Sequence, residues 1–168
     1  MKFRKAIKSD IDSIMSIIKQ AQNYFKEQGI NQWQNNYPNV EVISNDIEKG
    51  DSYLLLKDDN IIATAAVTFD GEESYNNIYE GQWLTNNDEF AVIHRIAVDN
   101  SYKGSGISSK IIEEVENLCK SKGVSSIKVD TNDDNIAMQK LLKKNNFKYC
   151  GIIYIADGSK KVAFEKQL

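Results

Sequence analysis

Cysteine occurs twice in the 168 residues, histidine once and proline once. Cys119 and Cys150 form no metal-like spacing, so no metal is expected. Cys119 falls at a core position of a helix and Cys150 in an apolar strand, which favours buried thiols over catalytic ones. No stretch resembles a membrane span and nothing at the N-terminus resembles a signal peptide, so the expectation is a reduced, soluble, cytoplasmic protein. A dominant charge is also missing: 21 Lys and Arg against 24 Asp and Glu leave a net of -3. That excludes a general basic field for nucleic acid or an anionic membrane. Repeats, linkers and low-complexity segments are absent too, and the length suits one domain, residues 1–168, with a substantial core.

What is present reads as alternating short elements. Phe3 to Ile7 is a strand candidate, and Ser9 followed by Asp12 is a capping signature for a helix with Ile11, Ile14, Met15, Ile18 and Phe25 at helical spacing, ended by Gly29. A polar and aromatic segment with Trp33, Tyr37 and Pro38 leads to a second helix, Val40 to Lys49. Ser52 to Lys57 and Ile61 to Phe69 flank Asp58-Asp59-Asn60 as a hairpin. Asp70 to Glu89 is a long irregular stretch whose Tyr75, Tyr79 and Trp83 argue for a loop folded over a pocket. A strand, Ala91 to Val98, then a helix from Ile107 to Gly123 and a strand from Ser125 to Asp130 make a strand, crossover helix, parallel strand unit. Asn132 to Asp134 cap a fourth helix through Met138, Leu141 and Leu142, and strands Lys148 to Ile155 and Lys161 to Glu165 turn at Asp157-Gly158.

The stretch AVIHRIAVDNSYKGSGISSK, Ala91 to Lys110, organises the rest. An apolar strand delivers a glycine-rich turn to a helix start, and the first N–H groups of a helix lack internal partners while its dipole adds positive potential. A phosphate-bearing ligand is expected there, and His94, Arg95, Lys103 and Lys110 concentrate positive charge around it. A dinucleotide pattern is nearly matched by Gly104, Gly106 and Asp130, but Ser109 replaces the third glycine and no second βαβ half exists.

The same positions, Lys103, Gly104, Ser105, Gly106, Ile107 and Ser108 after Ile96-Ala97-Val98, resemble the acyl-CoA site of the GNAT N-acetyltransferase family. Its signature is Arg or Gln, two residues, Gly, one residue, then Gly or Ala. Only Gly106 matches strictly; Lys103 keeps the charge without the guanidinium fork, and Ser108 is small and adds a hydroxyl. The element order β, α, α, β, β, β, α, β, α, β, β is also that of the family. The resemblance implies an α/β fold, a mixed, strongly twisted sheet with helices on both faces, and acetyl-CoA as co-substrate. Its pantetheine arm would pair with Ile96, Ala97 and Val98, its pyrophosphate would meet the N–H groups of Lys103 to Ser108, and the Val98 N–H would polarise the thioester carbonyl. The family pattern also places Asn135 against the CoA arm, with a helix cap as the other reading.

On this resemblance the reaction is acetyl transfer to a primary amine, a small cationic amine or a protein or peptide amine; a homodimer is allowed. A lysine-like amine with a pKa of about 10.4 is protonated at pH 7 by roughly 3.4 units, about 4.6 kcal/mol, so a base is needed more than an acid. His94 is the candidate base, through water, with a hydrogen-bonded core histidine as the alternative. Strand alternation would put His94 and Val98 on one face and Arg95 on the other, where a structural ion pair is favoured. Leu142 stands where the family's acid tyrosine belongs, leaving Tyr149 or Tyr154 as substitutes, or a thiolate that departs unassisted. A non-catalytic acyl-CoA sensor is the rival reading. Trp33, Glu80 and Trp83, with Glu72, Glu73, Asp88 and Glu89 nearby in sequence to the latter two, are expected to suit a cationic acceptor, unless the tryptophans plug the core.

Overall fold

Apolar spacing and turn chemistry set eleven elements among the described residues, 1–86 and 89–168 of the computed structural model. They are β1 (Lys2–Lys5), α1 (Ile11–Glu27), α2 (Val40–Lys49), β2 (Ser52–Lys57), β3 (Asn60–Thr68), β4 (Ala91–Val98), α3 (Ile107–Ser121), β5 (Ser126–Thr131), α4 (Ile136–Lys144), β6 (Lys148–Tyr154) and β7 (Lys160–Gln167). The strands form one mixed sheet in the order β1-β2-β3-β4-β5-β7-β6. β1 with β2, β2 with β3, β5 with β7 and β6 with β7 pair antiparallel, and β4 pairs parallel with β5, where Ala91 lies level with Ile127 and Val92 with Lys128. Asp88 lies outside the described residues.

The chain forms two compact units. The first comprises Met1–Val67 and Arg95–Ile111. Its core gathers Ile14, Ile17 and Ile18 of α1, Ile43 of α2, Leu54 and Leu56 of β2 and Ala97 of β4. Isoleucine is a mediocre helix former, so α1 is held by burying these side chains, at about 1.5–3 kcal/mol each, more than by propensity. Its start differs from the expected Ser9 cap. The Asp10 carboxylate accepts the Ile7 N–H at 2.8 Å and two bonds from Arg4, which turns the chain after Lys5 and shortens the first strand. At the other end of α2, Gly50 takes the left-handed conformation that closes the helix.

The second unit comprises Thr68–His94 and Ile112–Leu168. Tyr75, Val92, Ile153 and Ala163 form a core, with Ile78, Trp83, Phe90 and Ile155 packed on it. The expected loop from Asp70 is therefore partly ordered by burial: Glu73–Asn76 is a 3-10 turn, and Tyr79 bridges to Ile152 by two 2.8 Å backbone bonds. Beyond Trp83, the buried Glu165 carboxylate accepts the Leu84 N–H at 2.8 Å and hydroxyls of Thr85 and Ser126 at 2.6 Å each. β7 outruns its expected span because it stays paired with β5 from Val162 to Gln167.

Candidate active site

β4 ends in a turn whose backbone is fixed from α1. The Asp99 carboxylate accepts the Ser101 N–H at 2.9 Å and the Gln20 amide at 3.2 Å, while Gln20 accepts the Asn100 N–H at 2.7 Å. The Ser101 N–H, with the Gln20 amide, holds the Asp99 carboxyl below its ordinary range. Lys103 to Gly106 are exposed, Ile107 is buried, and Gly104 and Gly106 have φ of +76° and +81°. A Cβ on either glycine would meet no atom within 4 Å, so this turn needs glycine for its left-handed backbone. Helix α3 starts directly after it: the Lys110 N–H donates to the Gly106 carbonyl at 3.0 Å, and the N–H groups of a helix's first turn have no partner within the helix. The Lys103 ammonium sits 4.5 Å over the Tyr24 ring, beside a recess of about 240 Å³ lined also by Gln20, Asn23, Glu27 and Asn100. Exposed backbone donors, left-handed glycines and one cation suit a polyanionic ligand such as the pyrophosphate of CoA.

Within β4 the alternation that sequence reasoning relied on is interrupted. Arg95 has φ of +53°, a left-handed residue inside a strand, so His94 and Val98 cannot be assigned to one face by counting. The distortion is pinned by the ion pair expected for Arg95. Its guanidinium donates to Asp46 at 2.5 Å and to the Tyr37 hydroxyl at 2.9 Å. Burial works against the charge, but Tyr37 and Asp46 outweigh it and keep the Arg95 pKa above its ordinary value.

His94 itself, in the second unit, meets a carboxylate that the sequence did not single out for it: Nε2 lies 3.8 Å from Glu72 Oε2. Asp130, at the end of β5, is attracted to His94 and to Lys161, and accepts a 2.6 Å bond from the Tyr75 hydroxyl. Burial pushes the Asp130 carboxyl up, opposed by the Tyr75 bond and by the charges of His94 and Lys161. Burial also raises Tyr75 well above the usual tyrosine range, helped by Asp130 and Glu72. The available signal was positional: β4 and β5 are parallel neighbours, and carrying their register on by two residues sets His94, in the middle of β4, level with Asp130 near the end of β5.

A model of the acetyltransferase (GNAT) family matches residues 17–147. The chain belongs to the GNAT acetyltransferase family. It is similar to the uncharacterized N-acetyltransferase YesJ of Bacillus subtilis (strain 168), 22% identical over 97% of this chain and 88% of the relative. A GNAT acetyltransferase crystal structure from Streptococcus agalactiae 2603 is 32% identical, with a TM-score of 0.90 over 99% of this chain and 95% of that one. Another from Listeria monocytogenes 4b F2365, 20% identical over 99% and 94%, shares the fold at a TM-score of 0.77. The family and its homologues make this an acetyl-CoA-dependent acetyltransferase, with the GNAT fold expected from the element order. No helix among the described residues is long and apolar enough to cross a membrane.

The remaining candidate residues of this GNAT chain separate by environment. Asn135 is buried and caps α4, its Oδ1 accepting the Met138 N–H at 3.1 Å, which puts the cap later than the expected Asn132 to Asp134. Leu142 is fully buried, and Asn146 closes the helix with φ of +68°, a conformation asparagine tolerates. Tyr149 packs edge-on against Phe164 and Tyr154 against Tyr79; both tyrosines are half exposed. Trp33 packs edge-on against Phe25 in the first unit. Glu80 is exposed on a left-handed turn of the second. Trp83 donates its indole N–H to the Tyr75 carbonyl at 2.9 Å and holds the buried Lys128 ammonium 4.4 Å from its ring, so an internal cation already engages that ring.

Proposed function

We propose that this chain moves the acetyl group of acetyl-CoA to a primary amine, with residues 1–168 as one catalytic domain and His94 as general base through a water. The observation that carries the reading is His94 itself, set beside the Glu72 carboxylate at 3.8 Å on the strand that leads into the glycine turn. Acetyl-CoA supplies the activated acetyl thioester. The Lys103 N–H already donates to the Asn100 carbonyl at 3.3 Å, so the turn offers the backbone donors of Gly104 to Ser108 to the pyrophosphate, and Ile96 to Val98 offer their backbone to the arm, with the Val98 N–H polarising the carbonyl. His94 takes a proton from the acceptor ammonium and passes it to solvent; the amine nitrogen then bonds the acetyl carbon, the carbon–sulfur bond breaks, and the nitrogen sheds a second proton that balances the one the sulfur takes up.

Tyr149 and Tyr154 are the candidates for returning a proton to the departing sulfur, their half-exposed hydroxyls being open to solvent. For the acceptor, Trp33 and Glu80 remain the contact candidates. Trp83 supports the site by bracing Tyr75 through its N–H and packing. The acidic side chain of Glu80 favours a cationic amine, by steering and by pairing.

Incubation with acetyl-CoA and a mixed amine panel, following free thiol, tests the reading. Thiol release that depends on an amine supports transfer. Tight CoA binding without release for any amine would instead fit the sensor. His94→Ala is expected to lower turnover by about 10²-fold at neutral pH, with acetyl-CoA affinity little changed and part of the loss recovered at high pH, where free amine is plentiful.

A further inference from the structure

Three side chains of the second unit, Glu72, Tyr75 and Asp130, gather around the His94 imidazole. Glu72 and Tyr75 belong to one turn, locked by the Tyr75 N–H donating to the Glu72 carbonyl at 3.0 Å. From that turn the Tyr75 hydroxyl reaches Asp130 at 2.6 Å and the Glu72 carboxylate reaches His94 at 3.8 Å. The charge of Asp130, near the end of β5, is attracted to that of His94 in the middle of β4. Trp83 clamps the turn from outside by its bond to the Tyr75 carbonyl and by ring packing at 5.0 Å.

A purely structural cluster would not be expected to bury a carboxylate beside an imidazole and then oppose a second carboxylate to the same ring. Such burial costs stability unless the charges are paired. We propose that Glu72, Tyr75 and Asp130 are positioning residues that act through His94, fixing the orientation of its imidazole and stabilising its protonated form after it has taken the acceptor's proton. The inference rests on the reading of His94 as the base. Among the described residues Glu72, from the loop before the 3-10 turn, lies against the ring, and Asp130 of β5 is attracted to it while bonding Tyr75 and feeling the charge of Lys161 on β7. Lys161 is itself engaged, donating to the Asn132 side chain, and its charge offsets part of the negative potential. Two carboxylates against one ammonium leave the imidazolium favoured. Two protons leave the acceptor nitrogen: the first, from the ammonium, resides on the His94 ring and departs to water before the next turnover, and the second, shed as the amide forms, balances the proton taken up by the departing sulfur.

Histidine occurs once in the chain, so the ring protons of His94 give a single imidazole signal in the full-length protein. The experiment follows that signal by NMR from pH 5 to 9 in wild type, Glu72→Gln and Asp130→Asn, alongside pH profiles of kcat and of kcat/KM for the best amine of the panel. Expected are a His94 midpoint lowered by about 0.5 unit or more in Glu72→Gln, the acidic limb of the kcat/KM profile lowered with it, and kcat down about 10-fold with KM for acetyl-CoA unchanged. In a His94→Ala background Glu72→Gln should cost nothing further. Glu72 is partly exposed, so its variant tests the inference even if Asp130→Asn does not fold. An impaired His94→Ala combined with an unshifted midpoint and limb in Glu72→Gln overturns the positioning role alone. Full activity in His94→Ala with an unchanged pH profile overturns the base reading, and the positioning role with it.

Discussion

Cys119 and Cys150 show how far a side chain's chemistry is set by its surroundings. Burial, with Glu116 beside the first and Glu165 beside the second, pushes both thiols up to about 11. Since the thiolate is the reactive species, the folded protein at pH 8 should consume almost no thiol reagent over minutes, while the same sample in denaturant titrates two thiols. Fast labelling of the folded chain would contradict the burial. The Arg95 ion pair makes a second residue-scale prediction. Asp46→Ala strands a largely buried guanidinium with only the Tyr37 hydroxyl, and urea unfolding should show a loss of about 3 kcal/mol. Asp10 gives a pH dependence. The Arg4 bonds, with the Ile7 N–H, hold its carboxyl below the ordinary range, so its stabilisation is full above the unfolded value near 4 and is lost as pH falls through the lower folded value. Asp10→Asn should therefore be less stable than wild type at pH 7, and the gap in denaturant midpoint should close below about pH 4.

At the scale of the element, the turn between β4 and α3 depends on conformation. Because Gly106 needs its positive φ and not empty space, Gly106→Ala should cost about 1 kcal/mol and weaken CoA binding, and the β-branched Gly106→Val should abolish it. Calorimetry giving wild-type CoA affinity for Gly106→Val would remove the turn from the binding site. Lys103→Ala should weaken binding modestly and in a salt-sensitive way, its ammonium resting over Tyr24 at the edge of the turn. The elements themselves were legible because periodicity and glycine stops are local signals: α2 begins and ends as expected. The left-handed backbone at Arg95 was not, since such an arginine in an apolar strand has no local signature and its side chain is held by Asp46, 49 positions away. The same holds for the cluster around His94. Its histidine stood out by being single, but Tyr75 reaches Asp130 across 55 positions, and only the folded chain brings those partners together.

Across the whole molecule, the sheet runs from β1 to β6, and β6 is therefore a terminal strand whose outer hydrogen-bonding groups would be free to template another chain. The short bridge at Tyr79 occupies part of that rim, and glycine makes the fit available on both sides. A Cβ at Gly81 would lie 1.9 Å from the Cys150 carbonyl, and one at Gly151 would lie 2.6 Å from the Tyr79 carbonyl. The segment that carries Glu72, Tyr75 and Trp83 is thus also a built-in plug against intermolecular strand addition. Gly81→Val should lift it, and the expected result is concentration-dependent scattering and thioflavin fluorescence at temperatures where wild type stays clear. Selection on this segment would then answer to colloidal behaviour as much as to turnover, so a substitution there could look like a catalytic defect while its origin was loss of dispersed protein.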